Sequence, residues 1–158
     1  MVKNIKIVVM GSEDVGKTTL MEKFIGNIGK VEHKGITTAI DYGNITVNDK
    51  KIHFFGTPGQ NRFKFMRDLT LNGVDFVIVI VDGTIGLRDT DKDIINHLTK
   101  NNIPYCVFIN KIDILTDSEI NKIEGEINSI SNNHKKIIKG SALSSEGFDE
   151  LMDILKSL

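Results

Sequence analysis

A stretch near the start of the chain has the spacing of a loop that binds phosphate groups. It reads G-S-E-D-V-G-K-T and lies between an apolar run and an amphipathic one. In this setting a strand, a glycine-bounded turn and a helix start direct backbone N–H groups at one point, where Lys17 adds a cation and Thr18 a hydroxyl for Mg²⁺. The alternative is a glycine-rich turn beside a solvated lysine. The pattern predicts binding of a nucleoside di- or triphosphate by Gly11, Ser12, Glu13, Asp14, Val15, Gly16, Lys17, Thr18 and Thr19.

The elements around this loop alternate between apolar strand-like runs and amphipathic helical runs, without repeats or a linker. This alternation is typical of βαβ units and a mostly parallel sheet. Residues 48–50 join two strands as a hairpin, so one edge strand should be antiparallel. We expect one domain over residues 1–158, a three-layer α/β P-loop NTPase with a six-stranded sheet and helices on both faces. The predicted strands are 4–10, 40–47, 51–55, 75–82, 104–110 and 135–140, and the predicted helices are 17–26, 62–72, 88–100, 116–130 and 147–157.

Composition limits the partners of such a domain. The 158 residues carry 20 Lys and Arg against 21 Asp and Glu, a net charge of −1, so no strong field attracts nucleic acid and none is expected as a partner. The single cysteine, Cys106, lies in an apolar run, suits a reducing cytoplasmic compartment and is interpreted as a small buried hydrophobe. No apolar run has the length of a membrane span, and neither end shows a lipidation signal, so no membrane anchor is expected.

A second motif, Asn110-Lys111-Ile112-Asp113, follows the apolar run 105–109. With the phosphate loop, it resembles the Ras-like small GTPases and their translation-factor relatives. The resemblance implies that the Asp113 carboxylate accepts hydrogen bonds from guanine N1–H and the exocyclic amino group, which selects GTP over ATP because adenine lacks both donors. Asn110 would tie this loop to the phosphate loop, and the stem of Lys111 would lie along the base. Alone, so short a motif also occurs on solvated loops.

The resemblance extends to a loop near the end of the chain, Ser141-Ala142-Leu143. At the position that Ala142 matches, the family uses a backbone N–H to read guanine O6. A Ser-Ala turn is common in proteins, so the value of this match lies in its order and position along the chain.

Two further segments resemble the switch loops of these GTPases. In the first, H-K-G-I-T-T at residues 33–38, Thr37 is the expected Mg²⁺ ligand and Thr38 is its competitor. In the second, F-G-T-P-G-Q at residues 55–60, Gly59 would offer its N–H to the γ-phosphate and Gln60 would orient the attacking water. The alternative for Gln60 is a polar residue that opens the following helix.

The second switch departs from the D-x-x-G-Q pattern because Gly56 stands where the family has aspartate. That aspartate holds the hydration shell of Mg²⁺, so its loss predicts a weakened Mg²⁺ dependence. Asp82, at the end of an apolar run, is an alternative acceptor, although such a residue more often caps the following turn. It stays open how Mg²⁺ is supported.

The phosphate loop also differs from the Ras subtype, since Glu13 and Asp14 stand at positions where that subtype has glycines. Two carboxylates near a polyphosphate are tolerable only if they point outward, and Glu13 would crowd an activating arginine. No arginine directly precedes Thr37. Intrinsic turnover is therefore expected to be slow, on the order of 10⁻⁴ to 10⁻³ s⁻¹.

Together these motifs imply a molecular switch that binds GTP and GDP and hydrolyses GTP with Mg²⁺. Lys17, Thr37 and Gln60 would act in catalysis, and Thr18 and Thr37 would bind the metal. A protein effector or regulator would read segments 30–40 and 56–70. Gly56 keeps a non-catalytic or very slow GTP-binding interaction module as an alternative, and a P-loop ATPase or kinase would require Asp113 to be irrelevant.

Overall fold

The computed structural model describes residues 2–31, 40–57 and 73–158. In these residues four α-helices accompany seven strands, and a single 3₁₀ turn, Ile112–Ile114, follows the sixth strand. The predicted helix at 62–72 lies outside the described residues. In chain order the elements are β1 (Lys3–Gly11), α1 (Lys17–Ile25), β2 (Gly29–Val31), β3 (Ile40–Val47), β4 (Lys50–Gly56), β5 (Phe76–Asp82), α2 (Asp89–Lys100), β6 (Tyr105–Asn110), α3 (Asp117–Ile130), β7 (Ile137–Lys139) and α4 (Phe148–Lys156).

The strands form one sheet in the order β2-β3-β4-β1-β5-β6-β7. Strands β4, β1, β5, β6 and β7 are parallel, whereas β3 pairs antiparallel with both β4 and β2. The mostly parallel sheet with an antiparallel edge is confirmed, but the described strands number seven rather than six. The additional strand, β2, has only three residues, none of them buried, and so leaves no hydrophobic periodicity in the sequence.

The sheet is covered on both faces because its central strands alternate apolar side chains between two cores. Along β5, Phe76, Ile78 and Ile80 enter one core, and Val77, Val79 and Val81 the other. Helices α1 and α4 pack on the first face, and α2 and α3 on the second. Cys106 is buried as a free thiol, and burial raises its pKa to about 12, which confirms its interpretation as a small hydrophobe.

The direction of the parallel strands determines where a ligand can bind. The carboxyl ends of β1, β4, β5 and β6 lie along the same edge of the sheet, so the loops after them meet there. The described helices include none that is both long enough and apolar enough to cross a membrane.

Helix α3 begins directly after the loop that contains Asp113. Thr116 Oγ1 accepts a hydrogen bond from the N–H of Glu119 at 3.2 Å, and Glu119 Oε1 accepts one from the N–H of Thr116 at 3.0 Å. This reciprocal pair is the capping box expected from the sequence. The hydrogen bonds from Thr116 lower the pKa of the Glu119 carboxyl.

We expect Thr116→Ala to destabilise the protein by about 1 kcal/mol, because the first turn of α3 loses its side-chain acceptor. Thr116→Ser keeps the hydroxyl and is the matched control, with an expected change of a few tenths of a kcal/mol. Urea denaturation followed by circular dichroism measures both. Equal stability of the alanine and serine variants would contradict a capping role.

Candidate functional site

The phosphate loop connects β1 to α1, and its two motif glycines are required for different reasons. Gly16 has φ +101°, and a Cβ atom there would lie 2.5 Å from Asn110 Nδ2. A Cβ atom at Gly11 would lie 2.6 Å from the carbonyl oxygen of Ile80. Gly16 is therefore required both by its left-handed backbone conformation and by its close contact with Asn110. Gly11 is required because the end of β1 lies directly against the backbone of β5.

The side chains of the phosphate loop divide between solvent and protein. Glu13 and Asp14 are exposed, as two carboxylates near a polyphosphate would have to be, whereas Ser12 and Val15 are buried. Lys17 Nζ donates a hydrogen bond to the carbonyl oxygen of Gly11 at 3.2 Å, so its ammonium lies across the loop. The pocket at this loop has a volume of about 340 Å³ and is lined by residues 14–19.

A hydrogen-bond network around the buried Asp91 supports the loop from the side of α2, and it was not predicted from the sequence. Ser12 Oγ donates to Asp91 Oδ1 at 2.8 Å, and Asp91 Oδ2 accepts from the N–H of Arg88 at 2.9 Å. Arg88 Nη1 in turn donates to the carbonyl oxygen of Glu13 at 2.8 Å. Several acidic residues begin α2, and nothing in the sequence distinguishes Asp91 from the others.

The side chain of Asn110 connects the phosphate loop with the last loop of the site. Its Nδ2 donates to the carbonyl oxygen of Val15 at 2.8 Å, and its Oδ1 accepts from the N–H of Ala142 at 2.8 Å. The first contact is the expected tie between the two motifs. The second was not expected: it engages the N–H that the resemblance assigns to guanine O6, so base recognition there would require this N–H to be shared.

A second pocket, of about 340 Å³, lies beside the first and shares Gly16 and Thr19 with it. No described residue forms a hydrogen bond with the Asp113 carboxylate at its rim. Ile114 and Leu143 are 68% and 72% exposed and line this pocket, so they offer an apolar surface that suits the face of a planar base. The complete lining is Gly16, Thr19, Asn110, Lys111, Asp113, Ile114, Ser141, Ala142 and Leu143.

Lys111 is anchored by a buried carboxylate at the end of β5. Its Nζ donates to Asp82 Oδ2 at 2.6 Å, and Asp82 Oδ1 accepts from the N–H and the hydroxyl of Thr84. Burial alone would raise the pKa of Asp82, but the hydrogen bonds from Lys111 and Thr84 hold it below the usual value. Asp82 thus caps the turn after β5 and holds Lys111, so both of its oxygens are engaged.

The chemistry of the described residues also fits Mg²⁺ at the phosphate loop. Thr18 Oγ1 donates to Asp41 Oδ2 at 3.0 Å, which places a hydroxyl and a carboxylate together beside the pocket. Protein sites for Mg²⁺ commonly supply only one or two such oxygens and leave the rest to phosphates and water. Within residues 2–31, 40–57 and 73–158, no group of three or more His, Cys, Asp and Glu is arranged to hold a metal ion.

The structure brings together the predicted residues of the phosphate loop, the 110–113 motif and the 141–143 loop. Thr37, its competitor Thr38, Gly59 and Gln60 lie outside the described residues. Three contributors were missed by the sequence: Asp91, Arg88 and Asp41. Of these, only Asp41 could have been suspected from the sequence, because it is an acidic residue near the start of β3 and β3 pairs with β4, the strand that ends at Gly56.

Comparison with known proteins agrees with this geometry. A family profile described as "Elongation factor Tu GTP binding domain" matches residues 30–158. An uncharacterized protein of Methanocaldococcus jannaschii is 52% identical over 153 residues, which is 97% of this chain and 96% of that protein. Translation initiation factor IF-2 of Mycoplasmopsis pulmonis is 34% identical, over 93% of this chain.

Among solved structures, the apo form of translation elongation factor SelB from Methanococcus maripaludis superposes with a TM-score of 0.79 and 25% identity over 99% of this chain. The chain spans about a quarter of the length of the initiation factor and a third of the elongation factor. It therefore corresponds to one part of those larger proteins, whereas it matches the M. jannaschii protein over nearly its full length.

We expect Gly16→Ala to weaken nucleotide binding by more than about tenfold, because a methyl group there strains the backbone and displaces the Asn110 amide. Gly125→Ala is the matched control: this glycine lies in α3, and a Cβ atom meets nothing within 4 Å. The control should bind nucleotide normally and unfold at the same or a slightly higher temperature. Fluorescent GDP titration and thermal unfolding test both, and full binding by Gly16→Ala would contradict the predicted contact.

Proposed function

Because the chain belongs to the family of elongation factor Tu GTP-binding domains, we propose that residues 1–158 form a single guanine-nucleotide switch. In this proposal the protein binds GTP and GDP, hydrolyses GTP to GDP and phosphate with Mg²⁺, and changes its interactions between the two states. The observation that carries the proposal is the pair of contiguous pockets that share Gly16 and Thr19. One presents the phosphate loop and the other presents a carboxylate beside exposed apolar side chains.

In the base pocket, Asp113 supplies the selectivity. A carboxylate accepts from two donors on one edge of a ring, and guanine carries such a pair, at N1 and at the exocyclic amino group, while adenine does not. No described residue satisfies this carboxylate, which supports its availability to a ligand. Lys111, held by Asp82, would cover one face of the base with its aliphatic stem.

At the phosphates, the residues of the chain act by position and charge. Phosphoryl transfer passes through a loose transition state, so the protein mainly neutralises charge and orients the attacking water. Lys17 would neutralise the β- and γ-phosphates, Thr18 and Thr37 would hold Mg²⁺, Gly59 would sense the γ-phosphate and Gln60 would place the water. When bound, Mg²⁺ supplies neutralisation of the phosphate oxygens.

The proposed output is a protein effector or regulator that reads segments 30–40 and 56–70 in the GTP state. The buried, unpaired Cys106 suits a cytoplasmic location. The main alternative is a GTP-binding interaction module with little or no hydrolysis, and Gly56 is the observation that favours it. Slow intrinsic turnover is expected of the enzyme, because no arginine directly precedes Thr37 in the sequence.

Asp113→Asn tests the base pocket. The amide keeps one acceptor but replaces the second by a donor, so guanine loses a hydrogen bond and meets a clash of donors. We expect the affinity for GDP to fall by at least about a hundredfold, and the affinity for xanthosine diphosphate, whose C2 carries a carbonyl, to rise. Competition against fluorescent GDP measures GDP, xanthosine diphosphate and ADP for both proteins.

The same competition distinguishes the nucleotide classes. ATP should fail to displace GDP from the unaltered protein at concentrations at which GTP displaces it fully. Displacement by ATP as effective as by GTP, or an Asp113→Asn variant with unchanged preference, would favour a P-loop ATPase or kinase over a guanine-nucleotide switch.

Gln60→Ala separates the enzyme from the binding module. Because the glutamine is proposed to orient water rather than to bind nucleotide, we expect single-turnover phosphate release to slow by at least about tenfold while GDP affinity stays within about twofold. Gln60→Glu is a useful companion because it keeps the length of the side chain. Phosphate release that is undetectable in the unaltered protein would support the module.

A further inference from the structure

The space beside Gly56 is occupied by side chains of neighbouring elements, and one of them is a carboxylate. A Cβ atom added at Gly56 would lie 3.2 Å from Met21 Sδ and 3.3 Å from Asp41 Cβ. Both contacts are tighter than ordinary packing, so the space that a longer side chain would need is already filled. Asp41 Oδ2 lies 3.8 Å from the same Cβ position. A carboxylate is therefore present beside residue 56, but the neighbouring strand carries it.

The antiparallel pairing of β3 and β4 explains how Asp41 reaches this position. Tyr42 pairs with Phe55, so Asp41 and Gly56 follow as the next neighbours across the two strands. Side chains of cross-strand neighbours occupy the same face of a sheet, close enough to compete for space. A side chain at residue 56 would have to displace Asp41 or Met21 by a few tenths of an ångström, so glycine leaves the side chain of Asp41 in place.

The carboxylate of Asp41 lies beside the phosphate loop, and each of its two oxygens has a partner. Oδ2 accepts a hydrogen bond from Thr18 Oγ1 at 3.0 Å, and Oδ1 pairs with the ammonium of Lys30 from β2. The side chain of Asp41 is only 14% exposed, whereas that of Lys30 is 64% exposed. Thr18 is the phosphate-loop residue whose hydroxyl is expected to bind Mg²⁺, so Asp41 orients that hydroxyl directly.

We propose that Asp41 supplies the carboxylate of the Mg²⁺ site, taking across the strand pair the role that aspartate has at the position of Gly56 in related GTPases. This inference rests on the proposed function, because it requires a nucleotide bound at the phosphate loop. Asp41 is then a positioning residue: it fixes the Thr18 hydroxyl and adds negative charge beside the ion. Hydroxyl and carboxylate oxygens are the ligand chemistry that Mg²⁺ prefers.

Lys30 offers a way to separate this role from a merely structural one. Its ammonium pairs with the carboxylate of Asp41. The ion pair is solvent-exposed on the lysine side and therefore weak, so it does not compete strongly with a divalent ion. If Asp41 only fastened β2 to β3, removal of Lys30 would have the same effect as removal of the Asp41 charge.

The experiment measures how Mg²⁺ slows the release of bound nucleotide. Each protein is loaded with fluorescent GDP, and the dissociation rate is followed after excess unlabelled GDP is added, with Mg²⁺ or with EDTA. If Asp41 compensates for Gly56, the Mg²⁺ dependence is not weakened as the sequence alone predicts, and EDTA should accelerate release from the unaltered protein by at least about tenfold. In Asp41→Asn, which keeps the shape and an acceptor for Thr18, this acceleration should fall to within about twofold. Lys30→Ala should keep it.

A double variant, Asp41→Gly with Gly56→Asp, tests the relocation itself. It returns the carboxylate to residue 56 and removes the Asp41 side chain that would crowd it. We expect the EDTA response to recover to within about threefold of the unaltered protein, the margin covering small differences in carboxylate placement. Gly56→Asp alone places two carboxylates side by side and should bind GDP more weakly than the double variant.

Among the variants, three results would overturn the inference: an EDTA response in Asp41→Asn equal to that of the unaltered protein, the same loss in Lys30→Ala as in Asp41→Asn, or no recovery in the double variant. Circular dichroism confirms that each variant is folded before it is measured. Failure of the proposed function looks different, because the unaltered protein would then bind no fluorescent GDP in either condition. Normal GDP binding without any EDTA response would overturn the Asp41 inference alone.

Discussion

The buried amide of Asn110 is the contact on which the geometry of the site depends. Asn110 is the last residue of β6. Its Nδ2 donates a hydrogen bond to a carbonyl of the phosphate loop, and its Oδ1 accepts one from an N–H of the 141–143 loop. An unsatisfied buried polar group costs about 1–3 kcal/mol, so neither loop can leave the amide without a penalty. The phosphate pocket and the base pocket are therefore held at a fixed separation. The absence of a side chain at Gly16 belongs to the same arrangement, because the amide passes through that space.

The support from α2 has a similar logic. A buried carboxylate is tolerated only when its oxygens are satisfied, and the two oxygens of Asp91 bind Ser12 and the N–H of Arg88. The guanidinium of Arg88 also donates a hydrogen bond to the carbonyl oxygen of Glu13, the residue after Ser12. Contacts with Asn110 on one side and with this network on the other hold the phosphate loop in place. Less conformational entropy is therefore lost when a phosphate binds there.

Elements whose information is local could be predicted from the sequence. The continuous apolar run from Phe76 to Val81 predicted β5, and the spacing of Thr116 and Glu119 predicted the start of α3. The short strand β2 could not be predicted from the sequence, because its three residues carry no strand pattern and it forms only by pairing with β3. The motifs identified the pockets, but Asp91 and Arg88 depend on how α2 packs against β1, which no local pattern records.

The contrast between Gly56 and Asp41 shows where motif reasoning along a chain stops. A motif assigns a role to a position, so a glycine at residue 56 reads as a loss of the carboxylate. In a folded sheet the relevant neighbour of residue 56 is Asp41, which lies across the strand pair although it is distant in sequence. The two residues share the same space: a side chain added at residue 56 would come within 3.3 Å of Asp41 Cβ and would press against it. Since the Thr18 hydroxyl responds to the position of a carboxylate and not to the strand that carries it, the physical requirement can be met from either strand.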